Sequence, residues 1–427
     1  MSTPAKAVPW NPLLDSDLAR TALASVGEIA ADLKSHLEDW QHSSEQSPYL
    51  GEGAAGIAVF FTYLNAAGLS LDRNPALEYL NLSKNALTGQ VMEPSLFAGF
   101  TGITWAAQHI SGFFVSPDDP GEDIDLALET YLSRSPWKQD YDLINGLAGL
   151  GVYCLERSCS PPAARCLELI VKRLGELAQS SWEDLCWFTA ASLLSPPQRE
   201  MYPGGYYNLG LAHGVPGIMA LLGRIHATGI ARQEAGRLLE GAVHWLLRQQ
   251  LPEDANSSFA AFLVPGGLPE DCRLAWCYGD AGIAAAILLA ARYTGMKTWE
   301  SAALKIARRA ATRNPQSCGV MDACFCHGSS GLAHIFNRIH HATHDEVFAE
   351  AARFWVQRTL EFRTPGTGAA GYSILSPSET GKMEFQKKFG LIDGIAGIGL
   401  SLLAAISNVE PLWDRVFMVD IPPVVRP

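Results

Sequence analysis

The stretch Trp276-Cys-Tyr-Gly-Asp-Ala-Gly-Ile283 runs directly into Ala284-Ala-Ala-Ile-Leu-Leu-Ala-Ala291. Its first half is a turn built on two glycines three residues apart. Its second half is apolar almost all round, the pattern of a buried helix. The same arrangement, apolar-x-x-Gly-x-x-Gly-(Ile/Leu), occurs seven times, at 50–57, 96–103, 143–150, 211–218, 276–283, 325–332 and 391–398. Successive copies start 46 to 68 residues apart, a period that marks arrays or closed rings of supersecondary units.

Outward from each turn the pattern changes. Residues 217–223 and 397–405 are again apolar all round, whereas 237–250 places Leu238, Leu239, Ala242, Val243, Leu246 and Leu247 on one helical stripe with charge elsewhere. Each unit therefore reads as a half-exposed helix, a loop, a glycine turn and a buried helix. Seven such units predict an all-α fold, an α/α toroid with inner and outer helix rings and short strands in its rim loops. An open solenoid would need polar capping repeats, and the first and last copies look ordinary. The turns all precede inner helices, so they gather on one rim. The loops at 201–208, 263–271 and 364–372 are the candidates for the short strands. The expectation is a single domain over 1–427, with an extended tail at 421–427.

Aligned, the seven copies isolate their unusual residues. Two positions before the first glycine stand Gly51, Phe97, Ile144, Ala212, Cys277, Cys326 and Ile392; one before it stand Glu52, Ala98, Asn145, His213, Tyr278, His327 and Asp393. Cysteine occurs at the first position only in copies five and six, which adjoin in a ring. Cys277, Cys326 and His327 can thus share one coordination sphere. Two thiolates and an imidazole suit zinc, though another soft divalent ion would fit the same set, and three protein ligands leave a fourth position open for reaction. Two thiolates neutralise the ion, so a substrate thiol bound there would be ionised yet nucleophilic.

Cys324 is an alternative ligand, and the other six cysteines lie outside the turn positions. His213 reads either as an acid/base group facing the metal or as a satisfied core histidine. Asp142 and Arg273 read as orienting or charge-stabilising groups, or as structural ions. Tyr278 is either a hydrogen-bond donor to a developing oxyanion or a packing residue.

The net charge of −12 and pI near 5.4 argue against nucleic acid as a partner. No secretory signal is visible and no apolar run is long enough for a transmembrane segment. Nine scattered cysteines fit a reducing, cytoplasmic setting.

Leu211-Ala-His-Gly-Val-Pro-Gly, Trp276-Cys-Tyr-Gly-Asp-Ala-Gly and Cys326-His-Gly-Ser-Ser-Gly together resemble the lanthionine synthetase C-like (LanC) family, across essentially the whole chain. The resemblance implies an α/α toroid with one central zinc, and a reaction. A peptide cysteine thiol adds to a dehydroalanine or dehydrobutyrine, giving a lanthionine or methyllanthionine thioether. It implies that Cys277, Cys326 and His327 are the zinc ligands and His213 the acid/base residue. It puts Asp142, Arg273 and Tyr278 on the family's remaining active-site positions. Many members carry proline where this chain has Ala281. The expected partners are a dehydrated lanthipeptide precursor, a separate dehydratase, and an exporter complex that would hold the enzyme peripherally at the membrane. Glutathione addition to dehydroamino acids, a zinc-containing peptide-binding or regulatory protein without turnover, and a prenyltransferase-like zinc toroid are the rival readings. The resemblance disfavours the last.

Overall fold

The computed structural model describes residues 9–40, 47–89, 91–113, 121–378 and 381–424. Its α-helices, in chain order, are α1 (Ser16–Trp40), α2 (Ala54–Ala66), α3 (Asn74–Gly89), α4 (Phe100–Ser111), α5 (Glu122–Leu132), α6 (Leu147–Glu156), α7 (Pro161–Leu177), α8 (Pro196–Met201), α9 (Val215–Thr228), α10 (Arg232–Leu247), α11 (Asp280–Thr294), α12 (Lys297–Ala311), α13 (Ser329–Thr343), α14 (Glu346–Glu361) and α15 (Ile395–Ile406).

Seven of these helices, α2, α4, α6, α9, α11, α13 and α15, start immediately after the first glycine of a copy, which serves as the N-cap residue. Each touches the next, and α15 returns to α2. The ring is closed, so the chain is an α/α toroid and not a solenoid. The glycines are what let it close. The leucine opening one copy packs beneath the second glycine of the following copy: a Cβ on Gly102 would run into Leu50, and one on Gly56 into Leu391, last copy against first.

Helices α1, α3, α5, α7, α10, α12 and α14 form the outer layer. On α12, Trp299, Ala303, Ile306, Ala307 and Ala310 are buried, while Lys297, Lys305 and Arg308 face water. That spacing is the stripe of a half-exposed helix. The stripe expected over 237–250 lies on α10, which starts at Arg232 and ends at Leu247; Leu247 itself is only half-buried. The unit differs in phase from the sequence reading. The tight antiparallel hairpin joins an inner helix to the outer helix that follows it, as where α11 ends at Thr294 and α12 begins at Lys297. The N-terminal α1 then pairs with α15 and completes the last hairpin. Long connections run instead from outer helix to next inner helix, and they build the rim.

Those connections carry the strands. β3 (Phe188–Thr189), β4 (Tyr206–Asn208) and β5 (Phe262–Leu263) form an antiparallel sheet, and β1 (Gln179–Ser181) with β2 (Asp184–Cys186) and β6 (Ile374–Pro377) with β7 (Met383–Gln386) form two separate hairpins. Of the three loops expected to hold strands, 201–208 contributes β4 and 263–271 only the end of β5. The third, 364–372, makes just the bridge between Ala369 and Tyr372. The lumen is filled rather than open. Trp413, Val416, Phe417, Met418, Val419 and Ile421 are buried there, so the expected extended tail begins inside the barrel and emerges by Val424; 425–427 lie outside the described residues. Among the described residues no helix is long and apolar enough to cross a membrane.

One buried ion pair ties the two rings together. Asp125 on α5, with no exposed surface, accepts from Tyr153 Oη at 2.6 Å, Arg157 Nε at 2.9 Å and Nη2 at 2.8 Å, and Ser160 Oγ at 2.7 Å. Removing the carboxylate strands a buried guanidinium, which costs about 3–5 kcal/mol. Asp125→Ala should therefore lower the unfolding free energy by that amount, read from the shift of the urea midpoint at unchanged slope.

Candidate active site on the glycine-turn rim

The turns are sewn together by backbone hydrogen bonds at the position two before each first glycine. Gly51 N–H donates to Phe97 O at 2.8 Å, Ala212 to Cys277 O at 3.3 Å, Cys277 to Cys326 O at 3.1 Å, Cys326 to Ile392 O at 3.1 Å, and Ile392 to Gly51 O at 3.0 Å. Leu143 N–H donates to Ala212 O at 3.1 Å, and Ser95 Oγ reaches Ile144 O at 3.0 Å. This circular ladder sets neighbouring side chains side by side, as in paired strands. Cys277 and Cys326 are such neighbours, and each thiol shifts the titration of the other.

The neighbouring Cys326 outweighs burial, and Arg273, His327 and His213 add positive potential, so the Cys277 pKa falls to about 7. Cys277 and burial hold the Cys326 thiol well above its usual range. Gly279, which ends this turn, stands at φ 102°, in the region that favours glycine. A side chain there would also strike the Arg273 carbonyl.

His327 lies beside the Cys326 thiol with its ring between two carboxylates: Nε2 is 3.4 Å from Asp322 Oδ2 and Nδ1 is 3.8 Å from Asp393 Oδ1. Burial would lower its pKa, but Asp322 first and then Asp393 raise it to about 9. Asp393 Oδ1 is buried without a hydrogen-bond partner. Asp322 is fixed by backbone amides, taking Cys324 N–H at 3.0 Å and Leu375 N–H at 2.9 Å. Two donor sets lie within 4.8 Å, namely Cys326/His327/Asp393 and Asp322/Cys324/His327. Cys277 belongs to neither and joins through its contact with Cys326. Cys324 is buried and accepts the His327 N–H at 3.5 Å.

A second cluster occupies the adjoining turns. His213 Nδ1 meets Asp142 Oδ2 at 2.6 Å, and Asp142 Oδ1 accepts Asn145 N–H at 2.7 Å. His213 is enclosed by rim loops, yet its side chain keeps 39% of its surface accessible, as a group lining an open mouth does. Burial acts to lower its pKa; the Asp142 hydrogen bond and charge, then Cys277 and Asp140, outweigh it and raise the value. Asp140, beside Asp142, is pushed up to about 6 by burial and by its neighbour's charge. Tyr278 lies near the His213 ring, with centroids 6.0 Å apart, and its hydroxyl accepts from Asn208 Nδ2 at 3.1 Å. Burial raises the Tyr278 pKa, so the phenol stays neutral. Arg273 is exposed and makes no hydrogen bond or ion pair among the described residues; it acts on Cys277 through its field.

All seven residues picked from the sequence thus sit on copies three to six of one rim, or in the loops leading into those turns. Four neighbours were not singled out. Asp393 stands in copy seven at the position that holds His213 and His327 in copies four and six. Asp140, Asn208 and Asp322 each stand six residues before a first glycine. Each folds back on the amide two residues on, at 3.2, 2.9 and 3.0 Å. An Asx residue at that offset is the signal that could have found them.

The family described as lanthionine synthetase C-like protein matches residues 44–418. Nisin biosynthesis protein NisC of Lactococcus lactis subsp. lactis is 25% identical over 280 residues, 61% of this chain, and the match spans 65% of that relative's length. Among solved structures, nisin cyclase aligns with a TM-score of 0.74 at 19% identity, over 92% of this chain and 97% of that one. This last is a likeness of fold.

Proposed function

The chain belongs to the lanthionine synthetase C-like family, and from that premise we propose that it is a zinc-dependent lanthipeptide cyclase. Its substrate is a precursor peptide already dehydrated at Ser and Thr. The observation that carries this reading is the placing of Cys277 and Cys326 on hydrogen-bonded neighbouring turns, with His327 beside Cys326 and the His213–Asp142 pair on the adjoining turns.

The donor chemistry fits zinc. Two thiols on hydrogen-bonded neighbouring turns and an imidazole flanked by carboxylates make a set that ion prefers, with Cys277, Cys326 and His327 as ligands. The unpartnered Asp393 oxygen and the amide-fixed Asp322 suit the carboxylate that takes a ligating histidine's second nitrogen. When bound, zinc keeps a peptide thiol ionised at neutral pH. Asp322→Asn should weaken zinc binding by about 10–100-fold, measured by competition with a chromogenic chelator.

The remaining residues serve the carbon skeleton. The thiolate sulfur bonds to the β-carbon, the π electrons move onto the carbonyl as an enolate, and the α-carbon takes a proton. His213, held by Asp142 through Nδ1, presents Nε2 to the mouth and delivers that proton. Tyr278 already accepts from Asn208, so its O–H is left to donate to the enolate oxygen. Arg273 adds positive potential over the same region. The addition loses no atoms.

A separate dehydratase supplies the substrate, and both enzymes work in the cytoplasm, where thiols stay reduced. Incubation with dehydrated precursor should consume free thiols without change of peptide mass. A mass gain of one glutathione per dehydro residue, in a mixture containing glutathione, would replace this reading with the addition of a free thiol. Zinc present with neither outcome would leave a binding protein.

A further inference from the structure

The C-terminal segment reaches the underside of the thiol pair. Two buried carboxylates pin it in the lumen. Asp414 accepts from His334 Nε2 at 2.8 Å and Arg338 Nη2 at 3.0 Å, both on α13. Asp420 lies 3.6 Å from Arg224 on α9. Asp414 lies within the 3-10 turn Leu412–Phe417, and before Asp420 the chain reverses at Met418, where φ is 56°. The tip is Phe417. Its ring centroid is 4.1 Å from that of Phe325, 5.0 Å from Trp276 in an edge-on contact, and 5.7 Å from Phe97. Its carbonyl accepts Trp276 Nε1–H at 2.9 Å. Only a segment inside the ring can touch copies two, five and six at once.

Trp276 and Phe325 are the residues immediately before Cys277 and Cys326. The residue opening each copy is Leu50, Leu96, Leu143, Leu211, Trp276, Phe325 and Leu391 in turn. It is aromatic in copies five and six alone, and those are the copies that carry cysteine. The leucines are buried against neighbouring turns. The two aromatic residues instead extend to the lumen segment.

We propose that Phe417 is a positioning residue for the two-cysteine site. Packed beneath Trp276 and Phe325, it fixes where the following Cα atoms, and so the two sulfurs, stand. A metal site tolerates displacements of only about 0.2 Å, whereas a core aromatic with nothing behind it can settle by more than that. The inference rests on the zinc reading above.

The test is Phe417→Ala and Phe417→Leu in the full-length protein. Zinc affinity should fall about tenfold or more in Phe417→Ala, the size of loss seen when a supporting group is removed. The cobalt-substituted protein should show an altered thiolate-to-metal absorption band. Phe417→Leu, which keeps most of the volume, should restore both. Wild-type affinity and an unchanged cobalt spectrum in Phe417→Ala, with only the unfolding temperature lowered, would overturn the proposal. If Phe417→Ala does not fold, Trp276→Phe decides. It keeps the packing but removes the hydrogen bond to the Phe417 carbonyl, and undiminished zinc affinity with a wild-type cobalt band would again overturn it. Absence of zinc from the wild-type protein would sink the metal reading itself; zinc held equally by wild type and variants sinks this inference alone.

Discussion

Cys326→Ala protein should contain no stoichiometric zinc and should cyclise dehydrated precursor about a thousandfold more slowly than wild type. The magnitude has two parts. An unassisted peptide thiol is only a few per cent ionised at pH 7, so losing the ion's help costs about 30-fold. Losing the fixed position of the sulfur against its acceptor carbon costs about 10–100-fold more, a modest share of what well-oriented reactions gain. Cys277→Ala should match it, because the two cysteines stand on hydrogen-bonded neighbouring turns and serve one proposed site. Cys324→Ala is the discriminating control. That thiol accepts the His327 N–H and lies in one of the two tight donor sets, so it is the rival ligand to Cys277. Retained zinc and activity in Cys324→Ala, with both lost in Cys277→Ala, supports the assignment from turn position. The reverse pattern would move the site to Asp322, Cys324 and His327. Elemental analysis and thiol consumption, measured on the same preparations, separate the two.

That assignment shows what was readable in advance. The seven turns are legible because the steric demand at each is the same. A Cβ on the second glycine would meet the carbonyl six residues earlier, as at Gly282 against Trp276 and Gly331 against Phe325. A repeated demand leaves a repeated residue. The proximity of Cys277 and Cys326 follows from ring order, since their turns are joined, like most neighbours in the ring, by a backbone hydrogen bond that no side chain supplies. His213 was legible for the same reason, being at the position of His327. Groups that enter the site from outside the repeat were not. Asp322 reaches His327 from a loop, and β6 holds it through Leu375 N–H. Phe417 arrives through the lumen from the far end of the chain, with no period to announce it. The phase of the hairpins was missed because a two-helix repeat reads equally well from either helix. Only the short link between α11 and α12, against the long rim connections, chooses between them.

Asp142→Asn should move the alkaline limb of the cyclisation pH profile to lower pH, and this is the sharpest test of His213 as the proton donor. The acid form of His213 is the protonated imidazole, populated below its pKa. Cyclisation limited by that proton falls as pH rises through the pKa. Burial is the largest influence on His213 and acts downward; the net rise exists because the Asp142 hydrogen bond and charge overcome it. An amide at 142 keeps the shape but removes the charge and leaves at most a neutral, weaker hydrogen bond, so the fields of Cys277 and Asp140 act against the same burial. The pKa therefore drops, and the gap from wild type widens as pH rises. Asp140, held at about 6, titrates on the acid side and does not shape this limb. His213→Asn should lower the rate about 10²–10⁴-fold, the usual worth of a positioned acid, and flatten the limb altogether. An alkaline limb that stays in place in Asp142→Asn, or that survives in His213→Asn, would assign the titrating acid to another group. Tyr278 is then the next candidate, since its hydroxyl faces the same mouth and burial keeps it protonated.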